Sequence, residues 1–185
     1  MMLLTSEKRY TKEDYERLPE GSPYQLIGGE LIMSPSPTFF HQRIAFKIAS
    51  RLGAFVERNR SGAIVMAPMD VYFNEEDIYQ PDIIFLRAEQ LPKIDPDDRI
   101  HLTPDLVIEV LSPSTAYHDY SHKKKIYAEH GVKEYWIVDP QDKTIEIMVN
   151  DSGIFRTEEL LGVSGTVESA MFPGFSMKVE EVFAL

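Results

Sequence analysis

A short apolar run with a lone glutamate in its middle, residues 104–111, limits the possible folds of this chain more than any other segment. The run is rich in β-branched residues and ends at the turn-forming Ser-Pro-Ser of residues 112–114. Continuous apolar runs of this length are typical of strands covered on both faces, in a sheet with helices above and below. Glu109 lies within the run, where an unpaired charge costs several kcal/mol. We therefore expect Glu109 to have a cationic partner, either a metal ion or a lysine.

A second apolar run, residues 79–86, carries Asp82 near its start. If the two strands are neighbours, about 4.8 Å apart, the carboxylates of Asp82 and Glu109 can converge on one cation. Asp105 shares a strand face with Glu109, but it lies roughly 13 Å away along the strand, which is too far to bind the same ion. The sequence therefore predicts a metal site formed by Asp82 and Glu109.

The net charge of the chain restricts its partners. Thirty acidic and 19 basic residues give a formal charge of −11 at pH 7. An acidic surface repels phosphates at long range, so nucleic-acid binding requires a local basic patch, a metal ion or oligomerisation. Lys47, Arg51 and Arg58 share one flank of a predicted helix. They either contact a nucleic-acid backbone or simply face solvent.

Length and composition favour a single domain over residues 1–185 that has a substantial core. The chain has no cysteine, which excludes disulfides and thiolate metal sites. No apolar stretch approaches the ~20 residues of a membrane span. Residues 1–5 lack the basic leader of a secretory signal. We expect a cytoplasmic protein without a membrane partner.

The order of predicted elements indicates an α/β fold, in which helices flank a central β-sheet of mixed direction and a β extension follows at the C-terminus. Helices are predicted at about residues 11–18, 39–59, 119–130 and 179–183, and strands at 24–27, 30–33, 63–66, 70–73, 78–86, 106–111, 134–138, 144–149 and 154–160. The strands on either side of the 119–130 helix are expected to be parallel.

Three consecutive lysines, residues 123–125, lie in the predicted 119–130 helix. At ~100° per residue, Lys123 is at the centre of the apolar face, and the two lysines that follow point outward. The residues placed within about 60° of Lys123 are Tyr120, Ile126, Tyr127 and His130. A lysine on the apolar face is not there for solubility, and we expect it to reach the two carboxylates.

The combination of Asp82, Glu109 and Lys123 resembles the PD-(D/E)xK nuclease superfamily. More closely, the chain resembles the Uma-two family of restriction-endonuclease-like proteins. The matching segments are YQLIGGEL at 24–31, His41, QPD at 80–82, DLVIEVLSPS at 105–114, and residues 119–140, which end in EYWIVDP. This resemblance covers most of residues 10–140 and implies a restriction-endonuclease-like fold.

The resemblance also implies roles for individual residues. The superfamily motif has lysine two positions after the glutamate, where this chain has Leu111, so the lysine role is expected to have moved to Lys123. His41 acts as an acid, a base or a phosphate contact, or is a structural residue of its helix. Glu30 is an accessory ligand or a solvated strand residue. Asp119 is interpreted as structural, as is Asp70.

These residues predict a Mg²⁺-dependent (or Mn²⁺-dependent) endonuclease that acts on DNA, with RNA as another possible substrate. Asp82 and Glu109 would hold the ion, and Lys123 would assist the attacking water. A homodimer is expected, since such nucleases commonly cut two strands. Two alternatives stay open. One is an inactive protein of the same fold that binds nucleic acid or protein, and the other is a hydrolase of some other phosphate ester.

Overall fold

The computed structural model describes residues 9–185, so the interpretation of residues 1–5 lies outside it. The helices are α1 Lys12–Glu16, α2 Phe39–Asn59, α3 Ala116–His118, α4 Lys124–Glu129 and α5 Val179–Phe183. The strands are β1 Tyr24–Ile27, β2 Glu30–Met33, β3 Gly62–Met66, β4 Val71–Asn74, β5 Asp77–Tyr79, β6 Ile83–Arg87, β7 Leu106–Val110, β8 Glu134–Asp139, β9 Thr144–Asp151, β10 Ile154–Leu161, β11 Thr166–Glu168 and β12 Ser176–Lys178.

A six-stranded mixed sheet in the order β10-β9-β8-β7-β6-β3 forms the centre of the molecule. Only β7 and β8 are parallel, and the helical segment between them makes the connection, as predicted. The apolar run with Glu109 is therefore the third strand from one edge. All five residues of β7 are buried, because side chains pack against both faces of the sheet.

The two faces of the central sheet are covered by different elements. One face packs against the apolar side of α2, where Ile44, Ile48 and Leu52 are completely buried, and against α5. The other face packs against α4 through Ile126 and Tyr127. The predicted mixed sheet flanked by helices is confirmed.

A smaller four-stranded sheet, β2-β1-β5-β4, packs beside the central one. The predicted strand at 78–86 is wrong in one respect, because this segment is two strands in two different sheets. β5 ends at Tyr79, and β6 begins at Ile83. Pro81 cannot donate a ladder hydrogen bond, so the chain leaves one sheet there and enters the next. This crossing places Asp82 at the start of β6.

The C-terminal β extension is also present. β9 and β10 continue the central sheet, whereas β11 and β12 form a separate two-stranded sheet. Within residues 9–185, no helix combines the length and apolarity that crossing a bilayer requires.

Candidate active site

Asp82 and Glu109 belong to segments that lie side by side, which is the condition that the sequence analysis set for their convergence, and the strands β6 and β7 are antiparallel. The register pairs Ile83 with Ile108, so Asp82 stands next to Glu109 across the ladder. The backbone N–H of Asp82 lies 3.4 Å from Glu109 Oε2. In return, the N–H of Val110 donates to Asp82 Oδ2 over 2.7 Å. The two carboxylates are thus held close together, Glu109 beside the backbone of Asp82 and Asp82 by the backbone of the residue after Glu109.

Glu109 is almost completely buried, with 4% of its surface exposed. Its Oε1 accepts hydrogen bonds from Lys123 Nζ at 3.0 Å and from the Tyr127 hydroxyl at 2.7 Å. Burial raises the pKa of Glu109 to about 7. Lys123 opposes that shift, while the charges of Asp119 and Asp82 add to it. Glu109 is therefore a carboxylate whose charge is costly and whose second oxygen, Oε2, has only the long backbone contact.

Lys123 binds two carboxylates at once. Its Nζ lies 3.0 Å from Glu109 Oε1 and 2.9 Å from Asp119 Oδ1, and only 3% of the residue is exposed. Burial lowers the pKa of Lys123, but Asp119 and Glu109 outweigh it and raise the pKa above its ordinary value. The pKa of Asp119 is raised chiefly by burial. Lys123 therefore stays charged in the interior.

The position of Lys123 depends on a π turn over Asp119–Lys123, placed between α3 and α4. The turn is held by the Tyr135 hydroxyl, which donates to the Asp119 carbonyl over 3.1 Å. The predicted regular helix is wrong here, and so is the inward position of Tyr120, which is 47% exposed. A π turn closes over five residues, so each residue rotates less than in an α-helix.

His41 approaches the same carboxylates from the first turn of α2, whose N-cap is Thr38. Its Nε2 lies 2.8 Å from the Val110 carbonyl oxygen and 3.4 Å from Asp82 Oδ2. Its Nδ1 is buried without a hydrogen-bond partner among residues 9–185. Burial lowers the pKa of His41, but the hydrogen bond and charge of Asp82 outweigh that effect, so the pKa is raised.

Three other carboxylates do not join this cluster. Glu30 is exposed at the start of β2, opposite Ile27, and has no hydrogen bond or ion pair to the cluster within residues 9–185. Asp105 lies 2.5 Å from Arg87 and 2.8 Å from Lys133. Asp70 accepts hydrogen bonds from the Tyr15 hydroxyl of α1 and from the side-chain amide of Gln80, which follows β5.

The sequence interpretation missed two members of the cluster. Asp119 was interpreted as structural, yet it is buried against Lys123. Its spacing of four residues from Lys123 is the usual spacing of a helical ion pair and was the available signal. Tyr127 was placed on the same helix face as Lys123, but no pattern predicted its hydrogen bond to Glu109.

The carboxylate oxygens of Asp82 and Glu109 are the candidate ligands of a divalent ion. No group of three or more His, Asp or Glu side chains in the described part of the chain has the geometry of a complete metal site. Asp82 Oδ1 has no hydrogen-bond partner there, and Glu109 Oε2 has only its 3.4 Å contact. Mg²⁺ commonly takes one or two carboxylates and fills its other positions with water and substrate oxygens. The two carboxylates fit such an ion.

Fold and cluster together define the class of this protein. A mixed sheet with an aspartate and a glutamate on adjacent strands, and a lysine in contact with the glutamate, is the arrangement of the restriction-endonuclease-like superfamily. Residues 12–180 match the Uma2 (Uma-two) family, described as "Putative restriction endonuclease". The chain belongs to this family.

The chain is also similar to one protein in sequence and to another in fold. The "Uncharacterized protein sll1609" of Synechocystis sp. (strain ATCC 27184 / PCC 6803 / Kazusa) is 30% identical over 146 residues, which cover 75% of this chain and 80% of that protein. The crystal structure of a "putative nuclease belonging to DUF820" from Anabaena variabilis ATCC 29413 superposes with a TM-score of 0.79. That match has 22% identity and covers 94% of this chain and 97% of the other, so it shows a shared fold.

Proposed function

We propose that this protein is a Mg²⁺-dependent nuclease that hydrolyses phosphodiester bonds at Asp82 and Glu109 of its central sheet, with residues 1–185 as one domain. The observation that carries the proposal is the placement of these two carboxylates. Asp82 Oδ2 accepts from the N–H of Val110, and Glu109 Oε2 lies beside the N–H of Asp82. Each carboxylate would offer an oxygen to an ion. Membership of the Uma2 family supports the same conclusion.

Asp82 and Glu109 would hold the ion through their carboxylates. When bound, Mg²⁺ supplies charge neutralisation at the phosphate and lowers the pKa of an attacking water. The ion also offsets the cost of the Glu109 charge, since a cation next to a buried carboxylate favours its ionised form. Mn²⁺ suits the same oxygen ligands.

Lys123 has two tasks in this proposal. It holds Glu109 Oε1 over 3.0 Å, which leaves Oε2 directed toward Asp82. Its buried charge also favours negative charge that develops on the phosphate, because fixed charges act strongly in a site that excludes water. His41, 3.4 Å from Asp82 Oδ2, would exchange a proton with the leaving oxygen. Glu30, exposed and apart from the cluster, has no task here.

A second candidate function is a binding protein of the same fold that no longer cleaves. One specific observation favours it, which is that both carboxylate partners of Lys123 lie within 3.0 Å. A lysine held in this way has to change partners before it can contact a phosphate. Leu111 also replaces the lysine that the superfamily motif places two residues after the glutamate.

The decisive experiment incubates the protein with supercoiled plasmid and with short RNA, in Mg²⁺, in Mn²⁺ and in EDTA. We expect metal-dependent cleavage that is lost in Asp82→Asn and Glu109→Gln. Asp105→Asn is the matched control, because Asp105 shares the strand face of Glu109 but pairs with Arg87 and Lys133 outside the site. Cleavage that survives Glu109→Gln places the activity elsewhere. Absence of cleavage alongside intact nucleic-acid binding favours the second candidate.

A further inference from the structure

Two clefts on the α2 side of the central sheet share one wall. The first, of about 450 Å³, lies between α2 and the C-terminal elements β12 and α5, and the second, of about 530 Å³, lies between β10 and the small β11–β12 sheet. Gly174, Phe175 and Ser176 line both clefts. Glu159 of the second cleft pairs across the ladder with Ile147, which packs in the core beneath α2, so both point to the same face of the sheet. The two clefts therefore belong to one continuous surface.

The first cleft is basic. Lys47, Arg51 and Arg58 line it, together with the carboxylate of Glu181. Arg51 pairs with Glu181 over 2.5 Å, and Lys47 donates to the backbone carbonyls of Glu181 and Ala184. Lys47 and Arg51, for which a nucleic-acid contact was one of two expectations, are thus occupied by the C-terminal end of the chain. Arg58 is exposed and has no ion pair or hydrogen bond within residues 9–185, so its charge is free to pair with a group from outside.

The second cleft is acidic. Glu158, Glu159 and Glu168 line it, and no Lys or Arg side chain does so in the described part of the chain. All three are exposed, and none of their carboxylates has an ion pair or a hydrogen bond within residues 9–185. Like charges held together repel each other, and a cation that approaches from outside relieves this repulsion. The second cleft thus has the charge that complements the first.

The wall between the clefts is open to another protein. Pro173, Gly174 and Ser176 are small and exposed, and a Cβ added to Gly174 would meet no atom within 4 Å. Phe46, which lines the first cleft, is 57% exposed and offers apolar area. Protein interfaces combine apolar contacts of this kind with a polar rim. The surface therefore has small residues at its centre and opposite charges on its two sides.

A surface with this arrangement of charges is complementary to itself. A two-fold axis through the shared wall exchanges its two sides, so the basic cleft of one copy faces the acidic cleft of the other, and the same contact occurs twice. We propose that this surface is the interface of a homodimer, in which Arg58 of each copy pairs with Glu158 and Glu168 of the other. An unrelated acidic protein would complement the basic cleft alone, whereas a second copy of this chain complements both clefts.

The proposed interface does not include the candidate active site. None of the site residues lines either cleft, and the part of α2 that lines the first cleft begins at Phe46, after the first turn that carries His41. The homodimer goes beyond the proposed nuclease function and does not depend on it. Its interface can therefore be tested without nucleic acid and without a metal ion.

The test is sedimentation velocity of the full chain in EDTA, at ~0.05 M and ~0.5 M NaCl. We expect a dimer at low salt whose dissociation constant rises at high salt, because salt screens the charge pairs. Arg58→Glu and Glu168→Arg should each raise the dissociation constant at least tenfold, since each places like charges opposite one another at both symmetry-related contacts. A mixture of these two variants should form a heterodimer, because positions 58 and 168 then carry opposite charges at both contacts.

Arg43→Glu and Glu20→Arg are the matched controls, because they make the same charge changes at residues that line neither cleft, and they should leave the dimer unchanged. A chain that is monomeric at low salt overturns the inference. So does a dimer that Arg43→Glu weakens as much as Arg58→Glu, or one that mixing the two variants does not restore. A monomer that binds a single-stranded oligonucleotide through Arg58 would assign the basic cleft to that ligand instead. Since the measurement contains neither metal nor substrate, the nuclease and the dimer fail separately.

Discussion

Lys123 Nζ donates to Glu109 Oε1 over 3.0 Å in an almost dry interior, where each side chain is about 5% exposed or less. One ammonium group cannot fully compensate Glu109, because it is shared with Asp119 at 2.9 Å. The cluster therefore carries more negative than positive charge, and the pKa of Glu109 is raised to about 7. An ion at the open side of Glu109 restores the balance. Because of this charge imbalance, the stability of the fold and the affinity for metal both depend on whether Glu109 is protonated.

The first prediction concerns stability against pH. The pKa of Glu109 is about 7 in the folded protein and lies near 4.3 in an unfolded chain. The folded state then keeps a proton that the unfolded state releases, so this group makes the free energy of unfolding fall as pH rises from about 4.5 to 7. The expected total is roughly 3 kcal/mol. Urea denaturation of wild type and Glu109→Gln between pH 5 and pH 8 measures it.

We expect the stability of Glu109→Gln relative to wild type to increase across this range. Glu159→Gln, which removes an exposed carboxylate from β10, corrects for net charge alone. Parallel curves for wild type and Glu109→Gln would show that Glu109 is ionised throughout.

A second prediction concerns the buried lysine. Lys123→Met leaves Glu109 and Asp119 without a counterion, and removing one partner of a buried pair costs about 3–5 kcal/mol. Adding Glu109→Gln and Asp119→Asn should recover most of this loss, because the uncompensated charges are removed as well. Thermal or urea unfolding at pH 8 is the measurement.

Lys125→Met is the matched control for Lys123→Met. Lys125 lies in the same helix, is exposed, and contacts Glu129 over 3.7 Å. Such surface pairs contribute ~0–1 kcal/mol. Similar losses at positions 123 and 125 would contradict the buried ion pair.

The sequence predicted the part of the site that strands and hydrophobic patterns control. Glu109 was found because a charge within a continuous apolar run has to be paired. Asp82 was found because two such runs in one sheet bring their residues together. Both inferences use only the period of a strand and the spacing between strands.

The remaining part depends on tertiary context. A regular helix was predicted over 119–130 because the local pattern does not reveal a π turn, which Tyr135 of β8 supports from outside the segment. The division of 78–86 into two strands depends on which sheet each half joins. Pro81 marked the break, but the existence of a second sheet was not evident from the pattern.

The third prediction concerns metal affinity. Glu109 has to lose its proton before it can bind an ion. The apparent affinity for Mn²⁺ should therefore rise with pH, by up to about tenfold per unit below pH 7 and less above it. Isothermal titration calorimetry of the protein without nucleic acid at pH 6, 7 and 8 measures it. Binding should be lost in Asp82→Asn.

Tyr127→Phe tests whether the proton that controls metal affinity is the one on Glu109. The Tyr127 hydroxyl donates to Glu109 Oε1 over 2.7 Å and lowers the pKa of Glu109. Its removal should raise that pKa further and move the affinity curve to higher pH, with the plateau affinity retained. Affinity that does not change between pH 6 and pH 8 would rule out Glu109 as a ligand.

The last prediction concerns the contact between the smaller sheet and the π turn. His122 Nε2 lies 2.8 Å from Asp77 Oδ1, which also accepts the backbone N–H of Gly28 over 2.8 Å. Gly28 has a φ of +58°, and a Cβ at this position would lie 2.9 Å from His122 Cε1. Gly28→Ala should therefore displace His122 and, through it, the adjacent Lys123.

Gly21 is the matched control, because it has a φ of +77° and a Cβ added there would meet no atom within 4 Å. We expect Gly28→Ala to destabilise the protein more than Gly21→Ala. The backbone strain of ~1–2 kcal/mol is common to both, so the difference measures the clash with His122. In a His122→Ala background that difference should disappear, because neighbouring substitutions are not additive when one removes the contact of the other. A double-mutant cycle by urea denaturation measures this coupling. If the cycle closes with no coupling, a Cβ at position 28 does not act through His122, and the prediction is wrong.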